Sequence, residues 1–173
     1  WGKKGSSEAQ GLFGRTLALA GFGAIAREGA VRGRALGMRV VAWSRSLTDE
    51  VAKERGVERA GDLLSLAREA DFLSLHLALV KETRGIVSRD VLAAMKPGAA
   101  LVNTARAELV DQEALLEAVR SGRLRVGTDV FAGEPEKSQG EFKSDLAGRV
   151  VRVCADNGAL VKAKQPLIEV EPA

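Results

Sequence analysis

Short, mainly apolar runs alternate with longer stretches of mixed polar and apolar residues. Such runs, bounded by glycine or polar residues, are typical of strands that are buried on both faces. They predict five strands: Thr16–Ala20, Arg39–Trp43, Asp71–His76, Ala99–Asn103 and Leu124–Val130. The intervening stretches predict five helices: 24–36, 46–56, 62–70, 88–95 and 111–120. Strands and helices that alternate in this way form a doubly wound parallel sheet, so the predicted class is α/β.

The first predicted helix, residues 24–36, carries its large apolar side chains on one stripe. We expect Ile25, Val31 and Leu36 to face the sheet, with arginines on the outside. Gly37 is expected to end this helix, because glycine adopts the left-handed conformation found after many helix C-termini. In the fourth helix, Ser88 is the predicted N-cap.

The alternation stops after Pro135. Residues 136–143 are polar and indicate a linker, so we place a domain boundary near residue 140. Beyond it, apolar alternation and the Asn157-Gly158 turn signal predict three short strands: 149–154, 159–161 and 167–170. The predicted organisation is a leader at 1–11, an α/β domain at 12–140 and a small β-rich C-terminal appendage at 141–173.

The composition of the chain mainly excludes certain kinds of site and partner. The 173 residues, 46% hydrophobic and 28% charged, are typical of one folded domain with a small addition. A net charge of +3, spread along the sequence, does not indicate nucleic-acid binding. One cysteine and one histidine exclude an internal disulfide and a metal cluster of these residues. No apolar run approaches the roughly 20 residues that cross a bilayer, and no secretion signal is visible, so we expect a cytoplasmic protein without membrane association.

A glycine-rich turn joins the first strand to the first helix. Gly21, Gly23 and Ala26 have the G-x-G-x-x-A spacing of dinucleotide-binding turns. The first glycine permits the tight turn, and the second lets a diphosphate approach the backbone. The N–H groups that open the helix, at Ala24 and Ile25, would then face the phosphates. The sequence therefore predicts a Rossmann-like domain that binds NAD or NADP; the alternative is a glycine-rich turn without a ligand.

The end of the second strand bears on which dinucleotide is bound. NAD-selective sites usually place a carboxylate there for the ribose 2′-hydroxyl. This chain has Ser44 and Arg45 instead, and arginine pairs well with phosphate oxygens. These two residues favour NADP over NAD, unless Arg45 is simply a solvated surface arginine.

Four segments of the chain together resemble one protein family. They are GRTLALAGFGAIA, ALGMRVVAWSRS, the long stretch from DFLSLH to DQEAL, and GTDVFAGEP. Over about residues 12–135 the chain resembles the D-isomer-specific 2-hydroxyacid dehydrogenases, which include phosphoglycerate dehydrogenase and glyoxylate/hydroxypyruvate reductase. The resemblance implies an NAD(P)-dependent oxidoreductase that transfers hydride between nicotinamide and a small 2-hydroxy or 2-oxo acid substrate.

The resemblance implies two catalytic residues. Arg106 matches the arginine that holds the substrate carboxylate and polarises its carbonyl, and a planar guanidinium suits that task. Glu134 matches the glutamate that orients the catalytic histidine. The alternatives are a surface arginine after a strand and an ordinary loop acid before Pro135.

Four further positions would line the cofactor. Asn103 and Thr104 lie at the end of one strand, and Asp129 matches the acid that meets the nicotinamide carboxamide. His76, at the end of another strand, is expected to be a structural or cofactor-lining group rather than the acid/base.

The family's acid/base histidine lies downstream of the Glu-Pro pair, and no histidine follows Glu134 in this sequence. The flanking segments that would form a substrate domain are not present either. Loss of a positioned acid/base costs about 10²- to 10⁴-fold. We therefore expect dinucleotide binding with little turnover, and the alternative is a non-catalytic dinucleotide-binding module.

The tail has a second resemblance. Residues 141–173 resemble the C-terminal half of a biotinyl carrier domain, so a carrier remnant fused to the α/β domain is another alternative. The hairpin with the modified lysine is missing, and Lys96 belongs to the dehydrogenase-like part, so biotin is not expected. A half-barrel would leave sheet edges open, which leads us to expect a homodimer formed through the tail.

Overall fold

The computed structural model describes residues 11–131 and the backbone of two further strands, 148–153 and 168–172. The chain divides into two compact units, Trp1–Ala132 and Gly133–Ala173, and each is described by itself. The Asn157-Gly158 turn and the middle strand predicted for the tail lie outside the described residues.

Strands and helices alternate along the first unit. Its six strands are β1 (Thr16–Ala20), β2 (Arg39–Trp43), β3 (Glu58–Arg59), β4 (Phe72–Leu75), β5 (Ala100–Asn103) and β6 (Arg125–Thr128). Its five α-helices are α1 (Ala24–Ala35), α2 (Asp49–Glu54), α3 (Leu63–Glu69), α4 (Arg89–Ala94) and α5 (Gln112–Arg120). Each of the five strands and five helices predicted for this unit is present, within three residues of its predicted bounds.

The six strands lie in the order β3-β2-β1-β4-β5-β6, and every neighbouring pair is parallel. The chain builds the sheet outward from β1 through β2 to β3, then returns to the other side of β1 with β4. The strand order therefore reverses between β1 and β4. This topology confirms the predicted Rossmann-like class, and ligands of such open sheets bind beyond the carboxyl ends of the strands at the reversal.

The two strands beside the reversal are the most deeply buried. Ala18 and Ala20 of β1, and Leu73 and Leu75 of β4, have no exposed surface. Two separate clusters of buried apolar residues pack on the sheet. Because strands that are covered on both faces have no solvent side, their sequences are runs of apolar residues rather than alternating patterns.

The side of α1 that faces the sheet differs from the predicted one. Ile25, Val31 and Leu36 are 75%, 60% and 54% exposed. The buried positions of this helix are small residues at helical spacing, Ala26, Ala30 and Gly33. A Cβ added to Gly33 would lie 2.8 Å from the Leu17 side chain, so the strands supply the large side chains of this contact. The predicted stripe is therefore wrong, because it was identified by side-chain size.

Polar side chains begin most of the helices. Thr48, Asp62, Ser88 and Asp111 each accept a hydrogen bond from the backbone N–H three residues later. The prediction that Ser88 is an N-cap is thus confirmed. The end of α1 is also confirmed, since Gly37 has φ +74° just beyond it. Among the five helices described, α1 alone begins without a side-chain cap.

Two short elements of the first unit are not visible in the sequence pattern. β3 consists of Glu58 and Arg59, both exposed, so it has no apolar run to identify it. A single 3₁₀ turn, Ala107–Leu109, precedes α5. β3 is held by its parallel pairing with β2, whereas the 3₁₀ turn is closed by its own backbone hydrogen bonds, from the Leu109 N–H to the Arg106 carbonyl and from the Val110 N–H to the Ala107 carbonyl.

Asp71 connects several elements just before β4. Its carboxylate accepts a hydrogen bond of 2.8 Å from the Thr16 backbone and lies 3.4 Å from Lys96 Nζ and 3.6 Å from the Arg15 guanidinium. Burial alone would raise the pKa of Asp71, but the Thr16 bond and the two cations outweigh it and hold the pKa below its ordinary value. The charged carboxylate therefore stabilises the folded state.

In the second unit the structure describes β7 (Gly148–Val153) and β8 (Ile168–Pro172), which pair antiparallel. They correspond to the first and third strands predicted for the tail. Within the described parts of the chain, no helix is both long and apolar enough to cross a bilayer.

Candidate functional site

The residues singled out in the sequence lie at the carboxyl edge of the parallel sheet. Gly21 follows β1, Ser44 follows β2, His76 follows β4, Asn103 ends β5 and Asp129 follows β6. Because all six strands run the same way, these five positions share one edge. With a spacing of about 4.8 Å between strands, β2 and β6 are about 19 Å apart, which leaves room for an extended ligand.

Gly21 is required by the fold itself. Its φ is +95°, and an added Cβ would lie 2.5 Å from the carbonyl oxygen of His76. Its N–H donates to the Trp43 carbonyl at 2.8 Å, while the His76 N–H donates to the Ala20 carbonyl at 2.7 Å. The glycine turn is thus held between the neighbouring strands β2 and β4, and no side chain fits there.

Gly23 differs from Gly21 in its backbone conformation, its exposure and the space available for a side chain. It is the N-cap of α1, with φ −79° and ψ −168°, a conformation that any residue adopts. It is exposed, and no atom of a described residue lies within 4 Å of the place that a Cβ would occupy. The fold therefore does not require glycine here. The first residues of the helix, Ala24 and Ile25, are also exposed, so the uncapped helix terminus faces open space.

Arg27 stabilises this turn from the first part of α1. Its Nε donates to the Phe22 carbonyl at 3.3 Å, and the guanidinium carbon lies 5.8 Å from the centre of the Phe22 ring. Phe22 is buried, with 6% of its surface exposed. Arg27 was not among the predicted site residues, and the sequence gives no signal for it beyond its position four residues after Gly23.

The end of β2 presents hydroxyl groups and a guanidinium. The Ser44 and Ser46 hydroxyl oxygens are 3.4 Å apart. Arg45 is exposed and forms no ion pair with any described residue. An arginine that the fold does not neutralise is available to an anion.

His76 is half-buried at the strand reversal. Its Nε2 lies 3.0 Å from the Ser74 hydroxyl, which is buried beneath it. Burial lowers the pKa of His76 below its ordinary value. Burial therefore favours the neutral form of the imidazole.

The turn from Asn103 to Arg106 follows β5. Asn103 is 4% exposed, its Nδ2 donates to the Arg106 carbonyl at 2.8 Å, and its Oδ1 accepts from the Ala105 N–H at 3.1 Å. The amide therefore shapes the turn, which leaves Thr104 and Arg106 exposed. The Arg106 guanidinium donates only to the Ala105 carbonyl among the described residues, so most of its donors are unused.

Two threonines support the site without appearing among the predicted residues. The Thr128 hydroxyl donates to the Asn103 carbonyl at 3.0 Å and accepts from the Val130 N–H at 3.2 Å, which fixes the corner that carries exposed Asp129. Thr83 is 7% exposed and its hydroxyl bonds to Ala78 and Val80 in the loop that follows His76. Such hydroxyl bonds leave no trace in a hydrophobic pattern.

Of the predicted residues, Glu134 lies outside the described part of the chain. No group of three or more histidine, cysteine, aspartate or glutamate side chains within the described residues is arranged to hold a metal ion. The site residues that the structure describes therefore comprise a glycine turn, the guanidinium groups of Arg45 and Arg106, the Asn103 amide, hydroxyl groups, the His76 imidazole and the Asp129 carboxylate.

The sequence matches one protein family over residues 1–150. That family is described as "D-isomer specific 2-hydroxyacid dehydrogenase, NAD binding domain". The D-3-phosphoglycerate dehydrogenase of Methanocaldococcus jannaschii is 40% identical over 127 residues, which are 73% of this chain and 24% of that protein. The tail's resemblance to a biotinyl carrier domain gains no support from these matches.

Solved structures are similar as well. The apo D-mandelate dehydrogenase of Rhodotorula graminis aligns with a TM-score of 0.70 and 37% identity, over 78% of this chain and 40% of that one. A D-lactate dehydrogenase from Aquifex aeolicus, complexed with NAD and lactic acid, aligns with a TM-score of 0.68 and 35% identity, over 72% of this chain and 37% of that one. The chain thus covers less than half the length of each of these proteins.

Proposed function

The chain belongs to the D-isomer-specific 2-hydroxyacid dehydrogenase family, and on that premise we propose how its residues take part in the reaction. Its carboxyl sheet edge binds a nicotinamide dinucleotide and serves hydride transfer between that cofactor and a 2-hydroxy or 2-oxo acid. When bound, the nicotinamide supplies the hydride chemistry, and the chain's own residues bind and orient the reactants.

The main support for dinucleotide binding is the open space beside the Cα of Gly23. The fold tolerates a side chain at this position, yet the residue is glycine and lies at the uncapped N-terminus of a twelve-residue helix. A diphosphate that approaches the backbone there would receive N–H donors from Ala24 and Ile25. The absence of a Cβ and the uncapped terminus fit such a group.

Arg106 is the proposed substrate-binding residue. Its guanidinium is exposed, and its single described bond, to the Ala105 carbonyl, leaves a planar set of donors for a carboxylate. Asn103 holds its backbone in place, and always-charged arginine can also polarise a neighbouring carbonyl. The roles of His76, Thr104, Asp129 and Glu134 stay predictions that rest on the family resemblance.

We also propose that the chain binds NADP in preference to NAD. The residues that follow β2 offer hydroxyls at Ser44 and Ser46 and the guanidinium of Arg45, which pairs with none of the described carboxylates. Together they suit a phosphate on ribose 2′. A 2′-hydroxyl would instead favour an acid at the end of this strand, where none is present.

A parallel titration with NADPH and NADH tests this preference. We expect NADPH to bind about tenfold more tightly or better, and Arg45→Leu to remove most of that difference. Arg55→Leu is the matched control, since Arg55 is also exposed but lies at the far end of α2. Tighter binding of NADH by wild-type protein would contradict the NADP assignment and leave dinucleotide binding intact.

A second measurement tests the reaction. Oxidation of the bound reduced nucleotide by glyoxylate or hydroxypyruvate should be detectable at 340 nm and should be lost in Arg106→Ala. Binding without turnover of either acid would favour a non-catalytic dinucleotide-binding module instead. A cytoplasmic location and association of two copies also remain proposals, and a monomeric mass in light scattering at high concentration would contradict the latter.

A further inference from the structure

A shallow cavity of about 330 Å³ lies at the carboxyl end of β2. The residues that line it include Arg45, Ser46, Asp49, Glu50 and Arg59. The cavity begins one strand away from the glycine turn, at the end of the sheet edge where the proposed dinucleotide would place its adenosine ribose.

Arg59 comes from β3, where it pairs in register with Ala42 of β2. Its Nε donates to the Leu47 carbonyl at 2.7 Å, and its Nη1 donates to Asp49 Oδ1 at 3.2 Å. A guanidinium has five N–H donors, so two contacts fix its position and three donors stay unused among the described residues. The side chain is thus a pre-positioned cation in the cavity wall.

The two arginines that line the cavity differ in their ion pairing. Arg45 has no ion-pair partner among the described residues, whereas Arg59 is paired with Asp49. Both members of that pair are partly exposed, so water screens their attraction and an incoming dianion can compete with the carboxylate. Asp49 therefore opposes anion binding at this cavity, as does the neighbouring carboxylate of Glu50, and Arg59 promotes it.

We infer that Arg59 and Asp49 together determine how strongly this chain binds a phosphate on ribose 2′ of its dinucleotide. The inference rests on the proposed function. Arg59 supplies the second guanidinium donor set beside Arg45, and Asp49 competes with the phosphate for Arg59. Two guanidinium groups that line one cavity suit recognition of a phosphate monoester, because their planar donors match its oxygens.

Two ligands isolate this contribution. Adenosine 5′-diphosphoribose and its 2′-phosphorylated form differ only in the phosphate in question, and both carry the diphosphate that the glycine turn would bind. The ratio of their dissociation constants, measured by calorimetry, reports the 2′ subsite alone. Wild-type protein should bind the phosphorylated form about tenfold more tightly or better.

The variants act on the ratio in opposite directions. Arg59→Leu should lower it about tenfold, as expected for loss of a hydrogen bond to a charged group. Asp49→Asn keeps the size of the side chain but removes the competing charge, so it should raise the ratio by a few-fold. Arg55→Leu, which removes an equal charge outside the cavity, should leave the ratio within about twofold of wild type.

Three results would overturn the inference. They are a ratio near one in wild-type protein, equal weakening of both ligands in Arg59→Leu, and an unchanged or lower ratio in Asp49→Asn. If Arg59→Leu fails to fold, as shown by its melting curve, the Asp49→Asn ratio decides the matter. If wild-type protein binds neither ligand, the proposed function fails and the inference with it. If it binds both equally, the inference and the NADP preference fail while dinucleotide binding stands.

Discussion

Replacement of each glycine in the turn by alanine separates the requirements of the fold from those of the ligand. Gly21 has a positive φ and a backbone carbonyl within 2.5 Å of its missing Cβ. Gly23 has an ordinary φ and nothing within 4 Å. The same chemical change, one methyl group two residues apart, should therefore have opposite consequences for stability and binding.

The effect of each substitution on stability can be worked out from the local backbone conformation and the neighbouring atoms. In Gly21→Ala the positive φ costs about 1–2 kcal/mol, and overlap with the His76 carbonyl adds to it. A total above about 2 kcal/mol would lower the melting temperature by on the order of 10 °C in a domain of this size. In Gly23→Ala a weaker N-cap costs about 0.5–1 kcal/mol, which the reduced entropy of the unfolded chain offsets by about 0.4–1 kcal/mol. The melting temperature of Gly23→Ala should therefore change little.

Nucleotide affinity, unlike stability, should be sensitive to the substitution at Gly23. The added methyl group of Gly23→Ala occupies the space in which the diphosphate would contact the backbone, so affinity for NADH and NADPH should fall by at least about tenfold, or 1.4 kcal/mol. Circular dichroism on heating gives the stability, and calorimetric titration of the folded protein gives the affinity.

Gly23→Ala that binds both nucleotides as tightly as wild type, at the wild-type melting temperature, would show that the diphosphate does not approach this backbone. Gly21→Ala that is as stable as wild type would show that the close approach of the His76 carbonyl has no energetic consequence. Ala35→Gly in the same helix is a useful control for general helix destabilisation, since Ala35 is exposed and remote from the turn.

Three further predictions concern the scaffold. Asn103→Ala leaves the Arg106 carbonyl and a neighbouring N–H without their side-chain partner, so urea unfolding should show a loss of about 1–3 kcal/mol. Thr83→Val removes a buried hydroxyl that bonds within the loop after β4, and a loss of similar size is expected from the same assay. Because the pKa of Asp71 is lower in the folded state than in the unfolded state, its stabilisation is complete above the unfolded pKa and is lost as the pH falls through the folded pKa. Asp71→Asn should therefore be less stable at pH 7 and show a weaker decline towards pH 3, and an unchanged acid profile would contradict the assignment.

The strands and the edge on which the site lies could be predicted from the sequence because burial on both faces imposes a visible pattern. The apolar runs identify β1, β2, β4 and β5, and the parallel topology then places their carboxyl ends together. The spacing of Gly21 and Gly23 identifies the turn. These features depend on residue type and order alone.

The features that the sequence does not predict depend on the geometry of packing between elements. The buried face of α1 consists of small residues because the helix lies close against Leu17 and its neighbours, a distance that no sequence pattern specifies. β3 is too short and too exposed to produce a pattern. The bonds of Thr128 to the turn after β5 join residues 25 positions apart. Arg59 likewise reaches the cavity only because β3 pairs beside β2.

The central claim is that the backbone amides at the start of α1 bind the diphosphate of a nicotinamide dinucleotide. A titration of ¹⁵N-labelled protein with NADH or NADPH, followed by amide chemical shifts, tests it residue by residue. We expect the amide resonances of Gly23, Ala24 and Ile25 to shift most and to saturate together. Saturating nucleotide that leaves these three resonances in place, or shifts only residues at the opposite edge of the sheet, would contradict the claim.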